Sequence, residues 1–266
     1  MSKPFLSSRR AEARQFADSA GQQSVNTLLY GDPGTGKSSF LATCVAPIYV
    51  FSFDPGGTKL PALMDLESRG LAVLDTVYET EDDKKPFAFK VFNEVFTSIT
   101  AANEWNRIGT VAIDSLTTFE RAVMNAVLAE GGRAGTQPQL QDYGKVQVVF
   151  SQVLRALAAL PCDFVLTAHV STDRDELTGA LHSSLLCAGK LAYKIPVLFD
   201  EVLLTTVSKG AQGALNFGVQ TRSDGKLKAS SRRFGTKEFA VVEAPNMKHL
   251  RKKAGLPTED LQPLGD

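Results

Sequence analysis

The sequence predicts an α/β fold with a mostly parallel central sheet flanked by helices. Three observations carry that prediction. Short apolar runs alternate with segments of helical character along most of the chain, as happens where crossover helices join parallel strands. One apolar run leads through a glycine-rich turn directly into a helix. At 266 residues, 43% hydrophobic and 22% charged, the chain is long enough to bury one sizeable core, and it reads as one α/β domain with tails.

The elements follow in order. "VNTLLY" (Val25 to Tyr30) reads as a buried strand, and "KSSFLATCV" as the helix opened by the glycine-rich turn. "IYVFSF" (Ile48 to Phe53) is the second strand, "TKLPALMDLESRG" a short helix ending at Gly70, and "LAVLD" a small strand. "FAFKVFNEVFTSITAANEW" is a helix ending near Trp105, "IGTVAID" (Ile108 to Asp114) a strand and "SLTTFERAVMNAVLAE" a helix. "KVQVVFSQVLRALAAL" is a further helix, stopped by Pro161, which cannot continue it. "DFVLTAH" (Asp163 to His169) is the next strand, and "EVLLTTV" and "LNFGVQT" are two late strands around the turn-rich "SKGAQGA". The division is an N-terminal arm, 1–24, a core, 25–240, and a C-terminal tail, 241–266, polar from Lys248 onward with two prolines and read as loosely held.

Composition excludes several classes. The formal net charge is zero, so a nucleic-acid partner would have to be held by local clusters of cations. The N-terminus lacks the apolar core of a secretory signal and no run reaches the roughly 20 residues of a membrane span, so the chain reads as soluble and intracellular. Three separated cysteines (Cys44, Cys162, Cys187) and three histidines offer neither a disulfide framework nor zinc-ligand spacing.

The stretch "LLYGDPGTGKSSF" contains G-x-x-x-x-G-K-[ST] from Gly31 to Ser38, in a strand, turn and helix context. Gly31, Asp32, Pro33, Gly34, Thr35 and Gly36 form a loop whose backbone N–H groups turn inward as an anion nest, aided by the helix dipole. Lys37 reaches the terminal phosphates, Ser38 takes Mg²⁺, and Ser39 is a second, weaker candidate ligand. ATP and Mg²⁺ are therefore the expected ligands. Asp114 ends a strand beside this loop, where a carboxylate can hold the water shell of Mg²⁺; it is also placed to cap the following helix. Asp54, in "FSFDPGG", has three open readings: orienting the attacking water, binding Mg²⁺ at one remove, or starting a turn. His169, at the end of "VLTAH", either senses the γ-phosphate and passes its presence to the following loop or is a structural histidine. Lys37, Asp54, Asp114 and His169 are the catalytic candidates. No [NT]-K-x-D motif follows, which disfavours a GTPase.

The order phosphate loop, "FSFDPGG", "VAIDSLTTF", "QDYGKVQ", "VLTAHVS", "GKLAYKIPVLFDEV" and "KASSRRFG" resembles the RecA-like ATPase core, and most closely the phage-encoded Sak-type single-strand annealing recombinases. It covers about residues 25 to 235. It implies a RecA-like P-loop NTPase fold and an ATPase that binds single-stranded DNA. It also implies a homo-oligomer, ring or filament, in the cytoplasm of an infected bacterium, with a single-strand-binding protein as partner. The family's catalytic glutamate, two residues beyond the aspartate, is Gly56 here. Either Asp54 takes part of that role or hydrolysis is slow.

The resemblance also points to two DNA-contacting loops. The first, 130–145, offers Arg133 and Lys145 to phosphates and Tyr143 to a base; the second, 171–190, offers Arg174 and Lys190. Long irregular loops in a compact domain are usually functional or disordered. In "KASSRR", Lys228, Arg232 and Arg233 match the family's place for a cation inserted into a neighbouring copy's ATP site; the other reading is a solvated hairpin. "KHLRKK" is either a DNA-phosphate contact or an exposed basic tail. Two other functions compete: a nucleotide-switch ATPase without DNA, and a P-loop kinase with Asp54 as base.

Overall fold

The computed structural model describes residues 23–174, 181–189, 191–210, 213–223, 229–232, 234 and 239–265, with backbone alone at 172–174 and 181–183. The expected Lys190, Lys228 and Arg233, the Arg174 side chain and nearly all of the N-terminal arm lie outside what is described. The strands are β1 (Asn26–Gly31), β2 (Ile48–Ser52), β3 (Ala72–Asp75), β4 (Thr110–Asp114), β5 (Asp163–Arg174), β6 (Leu181–Leu185), β7 (Glu201–Lys209), β8 (Leu215–Gln220), β9 (Ser230–Ser231) and β10 (Val242–Glu243). The helices are α1 (Lys37–Leu41), α2 (Pro61–Ser68), α3 (Ala88–Ala101), α4 (Leu116–Glu130), α5 (Leu140–Ala158), α6 (Leu191–Lys194) and α7 (Met247–Lys253).

The strands form one sheet in the order β10-β8-β7-β1-β5-β4-β2-β3, with β6 paired to β5 and β9 to β7. From β7 to β3 the neighbours run parallel, whereas β8 and β10 extend the sheet antiparallel. This is the α/β architecture with a mostly parallel, helix-flanked sheet that the apolar runs predict. Successive strand side chains point to opposite faces, and both faces are covered. Leu28, Phe51, Ile113 and Leu166 pack toward Phe92, Phe119 and Phe150 of α3, α4 and α5. Leu29, Val50, Ala112 and Val165 pack toward Phe40 of α1, Leu63 of α2 and Leu250 of α7. All six parallel strands end at one edge, and the functional residues of β1, β2, β4 and β5 gather there. No helix among the described residues is long and apolar enough to cross a membrane.

Three expectations are corrected. The region 171–190 is not a plain loop: β5 continues through Arg174 and pairs antiparallel with β6, with Val170 opposite Leu185 and Leu186 N–H donating to His169 O at 2.9 Å. β-Branched Val170 suits this extended course. The region 130–145 is likewise half helical. Gln139 and Asp142 form a reciprocal capping box that starts α5 at Leu140, which places Tyr143 and Lys145 in helix. Arg133 is drawn into the same cap, its guanidinium 2.5 Å from the buried Asp142 carboxylate, so it is not a cation held out toward solvent.

The third concerns the C-terminal segment, which is docked rather than loosely held. Met247 and Leu250 are fully buried. Arg251 donates to both Asp163 carboxylate oxygens at 2.7 Å and to the carbonyls of Pro257 and Gln23, while Asp163 also accepts from Val25 N–H at 2.8 Å. One guanidinium therefore ties the C-terminal helix to the first residue of β5 and to the segment leading into β1. Lys248 pairs with Asp260, and Lys253 with Glu243. Leu261 and Leu264 N–H groups donate to Ala46 and Gly70 carbonyls. Lys248, Arg251 and Lys253 of "KHLRKK" answer carboxylates of their own chain, so the stretch is a packed helix and not a loose tail.

Removing one partner of a buried ion pair leaves the other charge uncompensated, at about 3–5 kcal/mol. Arg251→Ala is expected to lose about that much stability in urea denaturation, and a loss below about 1 kcal/mol would show that the C-terminal segment is not held by this pair.

Candidate active site

The phosphate loop leaves the end of β1 and enters α1. Gly34 and Gly36 have φ of 76° and 91°, a left-handed backbone that glycine adopts without strain. Thr35 Oγ1 donates to Asp32 O at 2.6 Å and lies 2.6 Å from Thr205 Oγ1 of β7. A methyl on Gly31 would overlap Thr205 Oγ1, so β7 braces the loop from the side. Lys37 is buried, and its Nζ donates to the carbonyls of Gly31 and Asp32 at 2.9 Å each. Burial lowers the lysine's pKa from its ordinary value, opposed by Asp114, Asp54 and Asp32. A poorly solvated ammonium held by carbonyls in this loop is ready to exchange them for phosphate oxygens.

Asp114 is only 2% exposed and carries the central contacts. Ser38 Oγ donates to its Oδ2 at 2.8 Å, and Thr167 Oγ1 of β5 donates to its Oδ1. Burial raises its carboxyl above the usual range, with both hydroxyls working against that. A hydroxyl and a buried carboxylate in contact, beside an anion nest, are hard oxygen donors of the kind Mg²⁺ takes. The donor set fits that ion, with Ser38 and Asp114 as the residues to hold it. Ser115, not Asp114, is the N-cap of α4, and Thr118 Oγ1 accepts from its N–H at 3.4 Å.

Asp54 is held on several sides. Its Oδ1 accepts from Ser115 Oγ at 3.0 Å and Thr118 Oγ1 at 2.6 Å, and its Oδ2 is 3.4 Å from His169 Nε2. It also begins a turn, since Gly57 N–H donates to Asp54 O at 2.9 Å. That turn passes directly by the metal-binding candidate: a methyl on Gly57 would lie 3.1 Å from Asp114 Oδ2. His169 Nδ1 is buried with no hydrogen-bond partner among the described residues, unlike a histidine satisfied by its core. Lys37, Ser38, Asp54, Asp114 and His169 thus share one edge of the sheet.

The DNA and trans candidates lie elsewhere. Tyr143 is 38% exposed and Lys145 is exposed, both on α5. Exposed Arg232 donates its N–H to Asp200 O at 3.0 Å and its guanidinium to Val197 O at 3.4 Å. β9 pairs with Glu201 and Val202 at the start of β7, so Arg232 stands at the end of the sheet opposite its own phosphate loop.

Sequence reasoning missed four residues here: Glu79, Thr118, Thr167 and Thr205. Only Thr167 leaves a signal, because it lies two positions before His169 on the same strand face. Glu79 sits in the short 3-10 turn Val77–Thr80 after β3. Its Oε1 accepts from Ser52 Oγ at 2.7 Å and its Oε2 from Gly56 N–H at 2.9 Å. Ser52 is the register partner of Asp114, so Glu79 anchors the Asp54–Gly57 turn one strand away from Asp114.

A sequence profile of the AAA domain family matches residues 23–229. No curated protein matches the sequence. Similar solved structures include a prototypical ATPase of the type III secretion system of pathogenic bacteria, at 15% identity and TM-score 0.49, covering 89% of this chain and 66% of that one. FlaH, a flagellar accessory protein from Methanocaldococcus jannaschii, has 11% identity and TM-score 0.41 over 86% of this chain and 88% of its own. The ATPase EscN, assembled with its central stalk EscO from enteropathogenic E. coli, has 16% identity and TM-score 0.45 over 87% of this chain. This chain spans 51% of that EscN chain.

Glu79→Ala leaves the Gly56 N–H and the Ser52 hydroxyl without their acceptor and frees the turn that carries Asp54. Small misplacements near a reacting centre can lower rates about 100-fold. Single-turnover ATP hydrolysis is expected to slow by about that factor with nucleotide affinity nearly unchanged; a matching loss of affinity would show that Glu79 supports the phosphate loop itself.

Proposed function

We propose that this chain, which belongs to the AAA domain family of P-loop ATPases, hydrolyses Mg·ATP at the Gly31–Ser39 loop and couples that reaction to single-stranded DNA. The observation that carries the nucleotide half is the 2.8 Å link from Ser38 Oγ to Asp114 Oδ2, directly beside Lys37. In this reading the loop N–H groups hold the phosphates and Lys37 neutralises the terminal ones. Ser38 and Asp114 would hold Mg²⁺, which would supply charge neutralisation on the phosphates. Asp54, fixed by Ser115, Thr118 and His169, orients the attacking water. The water oxygen forms a bond to the γ-phosphorus while the bond to the bridging oxygen breaks, ADP leaves with that electron pair, and the water's proton passes to an oxygen of the released phosphate. His169 reports the γ-phosphate to the β5–β6 hairpin, whose backbone continues from it.

The finer reading is an annealing recombinase of phage origin, working as a homo-oligomer with a single-strand-binding protein in the host cytoplasm. Its support is the order of motifs along the chain together with two accessible side chains, Tyr143 and Lys145, suited to a base and a phosphate. Arg232 fits a trans role, because its own loop is at the other end of the sheet.

Lys37→Ala is expected to remove ATP hydrolysis and leave the fold intact; hydrolysis at the wild-type rate would overturn the site assignment. The DNA half is tested separately, by retention of a single-stranded oligonucleotide at low salt with ATP and Mg²⁺, with and without a single-strand-binding protein. Wild type is expected to bind and to lose binding steeply with added salt. Tyr143→Ala with Lys145→Ala is expected to abolish retention without changing nucleotide affinity. No retention by wild type would leave the nucleotide-switch ATPase or the kinase, which ATP turnover with and without candidate acceptors would separate.

A further inference from the structure

Beyond Thr205, the β7–β8 hairpin continues past the phosphate loop. The paired positions are Thr205 with Val219, Val207 with Phe217, and Lys209 with Leu215. Residues two apart on a strand share a face, so Val207, Phe217 and Leu215 lie on the face from which Thr205 touches the loop. Val219, lower on that face, is completely buried in the core with Phe40 and Leu203. The outer three are not: Val207 is 38% exposed, Phe217 45% and Leu215 57%. The Phe217 ring nevertheless reaches the loop, for a methyl on Gly36 would sit 3.6 Å from its Cδ1. An open aromatic face flanked by two aliphatic side chains therefore borders a loop made of polar backbone.

We propose that Phe217, flanked by Val207 and Leu215, is the platform on which the base of the bound nucleotide stacks. The inference rests on the reading of Gly31–Ser39 as a triphosphate site, and it adds what that loop cannot supply. A phosphate nest recognises phosphate and makes no use of the base, yet a nucleotide anchored there carries its base only a ribose away. Strand-held Phe217 is ordered before binding, so stacking requires little rearrangement. Its ring offers a flat apolar surface that accepts any base face. Selection on this platform is for the presence of a base, with little preference among bases.

The test compares Mg·ATP with Mg·tripolyphosphate, which carries the same charged chain without a base. By calorimetry, Phe217→Ala is expected to weaken ATP roughly 5- to 150-fold, the range that stacking of one base supplies. Tripolyphosphate affinity should stay within about twofold, because its contacts are those of the nest. Phe217→Trp should retain ATP affinity, and its added fluorescence should be quenched by ATP and not by tripolyphosphate. Equal weakening of both ligands by Phe217→Ala would overturn the proposal and make Phe217 a prop for the loop. Unchanged ATP affinity would also overturn it, with loss of self-association or of oligonucleotide binding then identifying the surface as a subunit or DNA contact. Wild-type protein that binds neither ligand would overturn the triphosphate site and this inference together, whereas wild type that binds tripolyphosphate as tightly as ATP would overturn the inference alone.

Discussion

The arrangement turns on a single buried carboxylate. Asp114 accepts the Ser38 hydroxyl from the start of α1 and the Thr167 hydroxyl from β5, and its backbone carbonyl accepts N–H groups from Phe53 and Asp54 beyond β2. Three separate segments thus meet on one residue at the end of β4. An ionised carboxylate with 2% exposure is stable only where hydrogen bonds or cations answer it. Two hydroxyls answer part of that demand, and the remaining electrostatic demand favours a cation there.

Around this residue the supports are graded by distance from the chemistry. Thr205 braces the phosphate loop, Ser115 and Thr118 hold Asp54, and Glu79 fixes the turn between Asp54 and Gly57. Farther away, Glu120 of α4 accepts the Ala188 N–H at 3.1 Å, and Thr117 Oγ1 donates to Leu186 O at 3.0 Å. The helix that begins beside Asp114 is thereby bonded to the segment following β6. A rearrangement at the phosphate site has a contiguous covalent and hydrogen-bonded route to that hairpin, through β5 on one side and α4 on the other. Such a route is spatial, and coupling through it requires two discrete states of the hairpin.

Much of this fold was legible because its signals are local. Apolar runs such as Val111–Ile113 and Phe164–Leu166 read as strands and are fully buried in the sheet, and the glycine spacing from Gly31 to Gly36 announces the loop by itself. The gathering of Lys37, Asp54, Asp114 and His169 followed from their positions at strand ends. What escaped depends on partners far away in the chain. Glu79 meets Ser52 and Gly56, and Arg251 meets Asp163 across 88 positions, and neither residue differs in composition from an ordinary surface charge. Two stretches were misplaced: the resemblance put 171–190 in a DNA-contacting loop, and the polar residues from Lys248 onward read as a loosely held tail. A hairpin beyond the core tolerates polar side chains, and a helix can bury one face while pairing its cations with acids on the other.

The opposite placement of Arg232 and the phosphate loop constrains symmetry. If Arg232 serves a neighbouring copy's site, the contact joins unlike patches, and where two copies share only one such contact it is heterologous. Each added copy would complete one site and present another. If the rotation between neighbours closes, every site is whole; if it does not, the assembly is polar, and one terminal copy always holds nucleotide without an arginine facing it. The two termini of such a polymer would then differ chemically, one defined by an open nucleotide cleft and the other by an unused cation, which gives growth and loss at the two termini a basis for proceeding at different rates.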